Sequence, residues 1–185
     1  MKIAVVALGK IGLPLAVQFA KKGHHVIGCD VNQKTVELVN AGTEPFPGED
    51  HLDQYLKEVV ASGHLTATTD TTAAVAQADA VVVVVPHFVD NDGVPDFGWM
   101  DEATVAIAAG LKPGTLVSYE TTLPVGTTRT RFAPALEKGS GLTAGKDFSL
   151  VFSPERVLTG RVFADLRKYP KLVGGIDEKS TEHGI

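Results

Sequence analysis

The run Ala7-Leu8-Gly9-Lys10-Ile11-Gly12 has the residue types of a phosphate cradle. It is a G-x-G-x-x-G pattern with alanine in the first position. The first small residue of such a pattern permits a tight turn from strand to helix. The second lets backbone approach a pyrophosphate, and the third lets the helix pack close to the strand. The N–H groups that open the helix then face the anion. Gly9, Lys10, Ile11 and Gly12 are therefore candidate cofactor-binding residues. Alanine tolerates a positive φ less well than glycine, so Ala7 is expected to keep the turn at some loss of affinity. Asp30 closes the next apolar run, at nearly the spacing where an acidic residue accepts hydrogen bonds from the adenosine ribose. It would repel a 2′-phosphate, and no arginine follows it closely, which favours NAD over NADP. Lys34, one helical turn on, either reaches the ribose edge or is a solvated helix lysine.

A cradle of this kind needs a strand before it, a helix after it and further strands alongside. Lys2–Ala7 is a β-branched apolar run, as expected for a strand buried on both faces. Ile11–Lys22 has helical spacing, with Pro14 in its first turn and Gly23 ending it. His25–Asp30 reads as a strand, and Asn32 as the N-cap of a helix running to Asn40. Ala41–Asp50, with two prolines and two glycines, reads as a loop. Helix is predicted over His51–Ser62, Thr71–Ala78, Met100–Ala109 and Gly126–Lys138. Strand is predicted over Leu65–Thr68, Ala80–Val85, Thr115–Tyr119, Phe148–Phe152 and Lys171–Gly174, with a loop over Pro86–Trp99. Strands alternating with helices imply an α/β fold with a doubly wound, mainly parallel sheet, the Rossmann NAD(P)-binding architecture.

Composition narrows the partners. A net charge of −5 argues against nucleic acid, whose backbone calls for a basic face. It leaves a phosphorylated small ligand open, because backbone N–H groups hold phosphate without net positive charge. The single cysteine, Cys29, excludes an intrachain disulfide and points to a reducing, cytoplasmic setting. The longest apolar run, Ala80–Pro86, is too short to span a bilayer. His51, His64 and His183 lack ligand spacing, and no metal site is expected.

Four segments carry a resemblance. The stretch Leu8–Ala16 resembles the N-terminal motif of the UDP-glucose/GDP-mannose dehydrogenase family. So does Thr121-Thr122-Leu123-Pro124-Val125-Gly126-Thr127-Thr128. So do Ser153-Pro154-Glu155-Arg156-Val157-Leu158-Thr159-Gly160 and the following Pro170-Lys171-Leu172-Val173-Gly174-Gly175. They run through the chain in the family's order. The resemblance implies an NAD-dependent enzyme that oxidises the C6 alcohol of a nucleotide sugar twice, to the uronate. It implies that Thr122 lies beside the nicotinamide and helps to order water and cofactor, and that Glu155 assists hydrolysis of a thioester. Arg156 and Val157 match positions that touch the sugar nucleotide. The form Pro154–Val157 looks most like UDP-N-acetylmannosamine dehydrogenases, so a UDP-N-acetylhexosamine is the first expectation for substrate and UDP-glucose the second. His87 stands where the family has a cofactor-contacting threonine; it either reaches NAD or faces solvent.

The family's nucleophile is a cysteine, and Cys29 sits at the adenosine end, where a small buried side chain is its expected role. The chain thus reads as an NAD-binding domain over residues 1–175, with 176–185 opening a linker helix to an absent central domain. Alone it is expected to bind NAD without turnover, and its tail from about Glu178 to fray. A parent homodimer formed through the absent region is expected. Two other classes stay open. One is a β-hydroxyacid-type dehydrogenase, which would lack the Thr121–Thr128 and Ser153–Gly160 segments. The other is a non-catalytic NAD-binding module, in which Thr122 and Glu155 are bystanders.

Overall fold

A computed structural model describes all residues, Met1–Ile185. In chain order the elements are β1 Lys2–Val6, α1 Gly12–Lys21, β2 His25–Cys29, α2 Gln33–Asn40, α3 Leu52–Ala61 and β3 Leu65–Thr68. Then come α4 Thr71–Gln77, β4 Ala80–Val83, β5 Phe88–Val89, β6 Pro95–Asp96, α5 Gly98–Gly110 and β7 Leu116–Tyr119. After a π-helical turn at Thr128–Phe132 follow α6 Ala133–Ser140, β8 Ser149–Phe152, α7 Val162–Lys168, β9 Gly174–Gly175 and α8 Glu178–His183. No helix is long and apolar enough to cross a membrane.

Seven strands form one sheet in the order β3-β2-β1-β4-β7-β8-β9. All neighbours are parallel except β8 and β9. The order reverses between β1 and β4, the crevice where open α/β sheets bind ligands. Alternation along each strand feeds two cores. Ala4, Val6, Val81, Val83, Tyr119 and Leu150 pack with Ile107, Phe132 and Leu136 from α5, the π-helical turn and α6. Ile3, Val5 and Val82 pack on the other face with Leu13 and Val17 of α1, Leu56 of α3 and Phe163 of α7.

The register sets one level for the end of the sheet. Cys29, Val6, Val83, Tyr119 and Phe152 pair across β2, β1, β4, β7 and β8. The residues that follow still hold the ladder by one backbone bond each. Ala7 donates to the Cys29 carbonyl at 2.8 Å, Glu120 to Val83 at 2.9 Å and Ser153 to Tyr119 at 2.9 Å. At the far edge, Asn40 lays its side-chain amide along β3, donating to the Ala67 carbonyl at 2.9 Å and accepting from its N–H at 2.8 Å.

Besides the bounds of the last strand, which falls at Gly174–Gly175, four features differ from the sequence expectation. The segment Pro86–Trp99 contains an antiparallel hairpin, β5–β6, closed by Asp90, whose carboxylate accepts from the N–H groups of Asp92 and Val94. The helix expected over Gly126–Lys138 begins as a π-helical turn, because Pro134 cannot donate to, and crowds, the carbonyl four residues earlier. Val162–Lys168 is helical, although no element was expected there. The tail expected to fray forms α8, capped by the Asp177 side chain on Ser180 N–H at 2.7 Å. Its Ser180 is fully buried, and His183 Nδ1 lies 2.9 Å from Ser149 Oγ.

Ala7 has φ +78°, the left-handed conformation its position in the turn requires. A Cβ there costs about 1–2 kcal/mol, partly offset by the roughly 0.5–1 kcal/mol that glycine loses in chain entropy. Ala7→Gly should therefore raise stability by about 0.5–1 kcal/mol, measured as a higher urea midpoint at unchanged slope.

Candidate functional site

The common strand level gathers the loops around one cavity of about 1080 Å³. Its walls include the glycine turn from Ala7 to Gly12, then Asp30, then Thr69–Thr72 at the start of α4. Val84–Pro86 lie at the switch point, with Trp99, Glu102 and Ala103 of α5 opposite. Glu120–Thr122, Glu155 and Val157 close the far end.

The glycine turn is built for an anion. The N–H groups of Lys10, Ile11 and Gly12 donate to no protein acceptor, while Leu13 N–H returns to the Gly9 carbonyl at 3.1 Å. A Cβ on Gly9 would meet no heavy atom within 4 Å, so that side of the turn is open. A Cβ on Gly12 would lie 1.9 Å from the Ala7 carbonyl oxygen and 2.8 Å from Val84 Cγ2. The two glycines thus serve different ends: Gly9 leaves room for a ligand and Gly12 lets α1 seat on β1.

Asp30 is fixed by two backbone donors. Its Oδ2 accepts from Leu8 N–H and its Oδ1 from Asn32 N–H, both at 2.9 Å. The carboxylate thereby ties β2 to the glycine turn, with lone pairs left for a ligand's hydroxyls. Cys29 is fully buried, and burial pushes its thiol up to about 12. It is a packed side chain and not a nucleophile.

At the other end, the Thr121 hydroxyl donates to the Val85 carbonyl at 2.7 Å and pins the loop after β7 to the switch point. That contact leaves Thr122 on the cavity wall, exposed. Glu155 N–H donates to the Glu120 carbonyl at 2.8 Å, continuing the β7–β8 ladder beyond the strands. Its Oε1 accepts from Arg156 N–H at 2.8 Å. Glu120 is buried, and desolvation pushes its carboxyl above the ordinary carboxylate range, opposed by Lys171. The Lys171 ammonium contacts Glu120 Oε2 at 2.7 Å and Glu155 Oε2 at 2.5 Å.

The loop that carries Glu155 is moored from below. Glu49 Oε2 accepts from Gly160 N–H at 2.7 Å. Asp165 accepts from Leu158 N–H at 3.1 Å and from the Arg161 guanidinium at 2.8 Å. The hydrogen bonds from Arg161 hold the Asp165 carboxyl below the usual aspartate range.

Of the sequence candidates, Gly9, Lys10, Ile11, Gly12, Asp30, Thr122, Glu155 and Val157 line the cavity. Three lie off its wall. The His87 ring packs on Phe97, centroids 4.8 Å apart. Lys34 is exposed on α2. Arg156 points its guanidinium back to the Pro170 carbonyl. Sequence reasoning missed Trp99, Glu102, Glu120 and Thr69–Thr72. Thr69–Thr72 and Glu120 follow strand ends, the one signal that marks them; Trp99 and Glu102 lie on α5, where nothing local points to the cavity. No group of three or more His, Cys, Asp or Glu is arranged to hold a metal ion.

Comparison with known proteins agrees with this geometry. Residues 1–185 match the sequence family described as UDP-glucose/GDP-mannose dehydrogenase family, NAD binding domain. The UDP-N-acetyl-D-mannosamine dehydrogenase of Pyrococcus horikoshii is 36% identical over 180 residues, 97% of this chain and 42% of that protein. The crystal structure of NDP-N-acetyl-D-galactosaminuronic acid dehydrogenase from Methanosarcina mazei Go1 superposes with TM-score 0.92 at 34% identity, covering 99% of this chain and 40% of that one. A ternary complex of GDP-mannose dehydrogenase from Pseudomonas aeruginosa gives TM-score 0.92 at 27% identity, over 99% of this chain and 43% of that one. The chain spans less than half the length of these relatives.

Two outcomes follow from the geometry. Gly12→Ala should lose about 3 kcal/mol of stability by overpacking, whereas Gly9→Ala should unfold at the wild-type midpoint yet lose cofactor binding. Paired urea melts and ligand titrations read the contrast. Asp165 contributes stability that is present above its unfolded pKa of about 3.9 and is lost as pH falls through its lower folded value. Asp165→Asn should be less stable at neutral pH and show a shallower loss below about pH 4 in denaturation midpoints taken down the pH scale.

Proposed function

From a chain that belongs to the UDP-glucose/GDP-mannose dehydrogenase family, as its NAD binding domain, we propose a site that presents NAD to the C6 alcohol of a UDP-sugar. One observation carries the reading: the glycine turn, Asp30, Thr122 and Glu155 line a single cavity across the switch point of the sheet. The free N–H groups of Lys10, Ile11 and Gly12 hold the pyrophosphate. Asp30 accepts from the adenosine ribose hydroxyls. NAD, when bound, accepts the hydride of each oxidation. Thr122 lies at the end of the cavity away from Asp30, on the loop after β7, and orders water and cofactor there. Glu155 takes the proton of the water that completes the second half of the reaction, the geometry a general base requires. Val157, on the same wall, meets the sugar nucleotide.

A UDP-N-acetylhexosamine is the substrate we favour, supported by the segment Pro154–Val157 and by the name of the Pyrococcus horikoshii relative. The whole enzyme would work as a homodimer, with the nucleophile and most sugar contacts supplied beyond Ile185. This chain alone would bind cofactor without turnover.

The single tryptophan, Trp99, lines the cavity and is 60% exposed. Titration with NAD should quench its fluorescence. NADP should bind at least about tenfold more weakly, an about 1.4 kcal/mol difference, because Asp30 repels the 2′-phosphate. No quenching and no calorimetric heat with NAD, or equal affinity for NADP, would overturn the cofactor reading. Reduction of NAD by this chain with a UDP-sugar would overturn the claim that it does not turn over alone.

A further inference from the structure

The antiparallel return at β9 has one charged group aimed at the cavity end. Three ties bring it there. Ser153 donates its hydroxyl to the Leu172 carbonyl at 2.7 Å, Ile176 N–H donates to the Leu150 carbonyl at 2.9 Å, and Arg156 meets the Pro170 carbonyl. Between these anchors sits Lys171, with 37% of its side chain exposed, against side chains of Glu120 and Glu155 that are only 6% and 11% exposed. The charged groups that meet here are Glu120 from the end of β7, Glu155 and Arg156 from the segment after β8, and Lys171 from the return. The Ser118 hydroxyl also donates to Glu120 Oε1 at 3.2 Å.

We propose that Lys171 is the positioning residue of this site: its ammonium bridges Glu120 and Glu155 and fixes the Glu155 carboxylate against the cavity. The inference rests on the reading of Glu155 as the proton acceptor. A free glutamate has three side-chain torsions to settle before it can take a proton from an ordered water, and holding a group in place removes that cost. Here both oxygens of Glu155 are engaged, Oε1 by Arg156 N–H and Oε2 by Lys171. Each oxygen keeps capacity to accept one more hydrogen bond, from a water.

Glu120 fixes the ammonium in turn. A single carboxylate facing a half-exposed lysine is a weak tether. Two carboxylates bonded to one ammonium restrict it far more than one would. The trio carries two acids against one base, so it has a place for one proton. Burial pushes the Glu120 carboxyl upward, so Glu120 is the acid of the pair that burial favours for that proton. Without the ammonium, Glu120 would be a buried acid with no counter-charge and would hold its proton more tightly.

The test is a carbon-13 titration of the chain labelled at glutamate carboxyl carbons, with Glu120 and Glu155 assigned through Glu120→Gln and Glu155→Gln. In Lys171→Met, Glu120 should bind its proton at least about tenfold more tightly, and the Glu155 carboxyl and Val157 methyl resonances should move. Lys171→Arg should restore the wild-type pattern in part. Lys179→Met, an exposed lysine of α8, should change nothing. If Lys171→Met fails to fold, Lys171→Gln replaces it. Unchanged Glu120 titration and unmoved Glu155 and Val157 signals in a folded variant would overturn the proposal. NAD titration of the wild-type chain is read separately. If NAD binds while the carboxyls ignore Lys171, the positioning role fails and the cofactor reading stands. If the carboxyls respond while NAD does not bind, the cofactor reading fails.

Discussion

Five parallel strands stop at one level, and the rest of the molecule depends on that alignment. Cys29, Val6, Val83, Tyr119 and Phe152 stand in one row, so the strands give way to loops at a common height just beyond it. A slip of one residue in any strand would turn its apolar side chains to the opposite core and lower or raise its loop by about 3.3 Å. Thr121 would then miss the Val85 carbonyl, and Glu155 would lose the Glu120 carbonyl. The two hydrophobic cores are thus what places the site. They fix register, and register fixes where the polar loops meet.

Charge at the two ends of the cavity is handled differently. Asp30, at the end of the cavity beside the glycine turn, is held by two backbone N–H groups close to the start of α1. Glu120 and Glu155, at the other end, share one ammonium and sit where solvent is scarce. The first arrangement leaves lone pairs open to hydroxyl donors. The second, through burial, pushes the Glu120 carboxyl upward. The sheet puts both ends within one cavity, three inter-strand spacings apart from β2 to β7.

Much of the frame was legible because buried parallel strands have an unmistakable composition. Lys2–Ala7 and Ala80–Val85 could hardly be anything else, and Leu65–Thr68 has the bounds expected of it. The glycine turn and Asp30 were legible as well, since their chemistry depends on local spacing. What escaped is short or non-local. The strands of the β5–β6 hairpin have two residues each, within a run of turn formers. Helix α7 is seven residues long, too brief for periodicity to show. The last strand lies at Gly174–Gly175, and not over Lys171–Gly174, because its pairing rests on backbone alone. Lys171 lies far along the chain from Glu120, and nothing in either residue's neighbourhood announces the other.

The amide of Asn40 has a consequence for the protein as one molecule among many. By donating to and accepting from Ala67, it behaves as a single residue of an extra strand laid along β3. At the opposite margin β9 offers only two glycines before α8 turns the chain away, with the Ser180 hydroxyl meeting Leu150 N–H at 3.4 Å. Exposed strand margins are where sheets of separate chains zip together. With an amide covering part of one margin and only a glycine pair at the other, the sheet leaves few strand groups on which a second copy could zip.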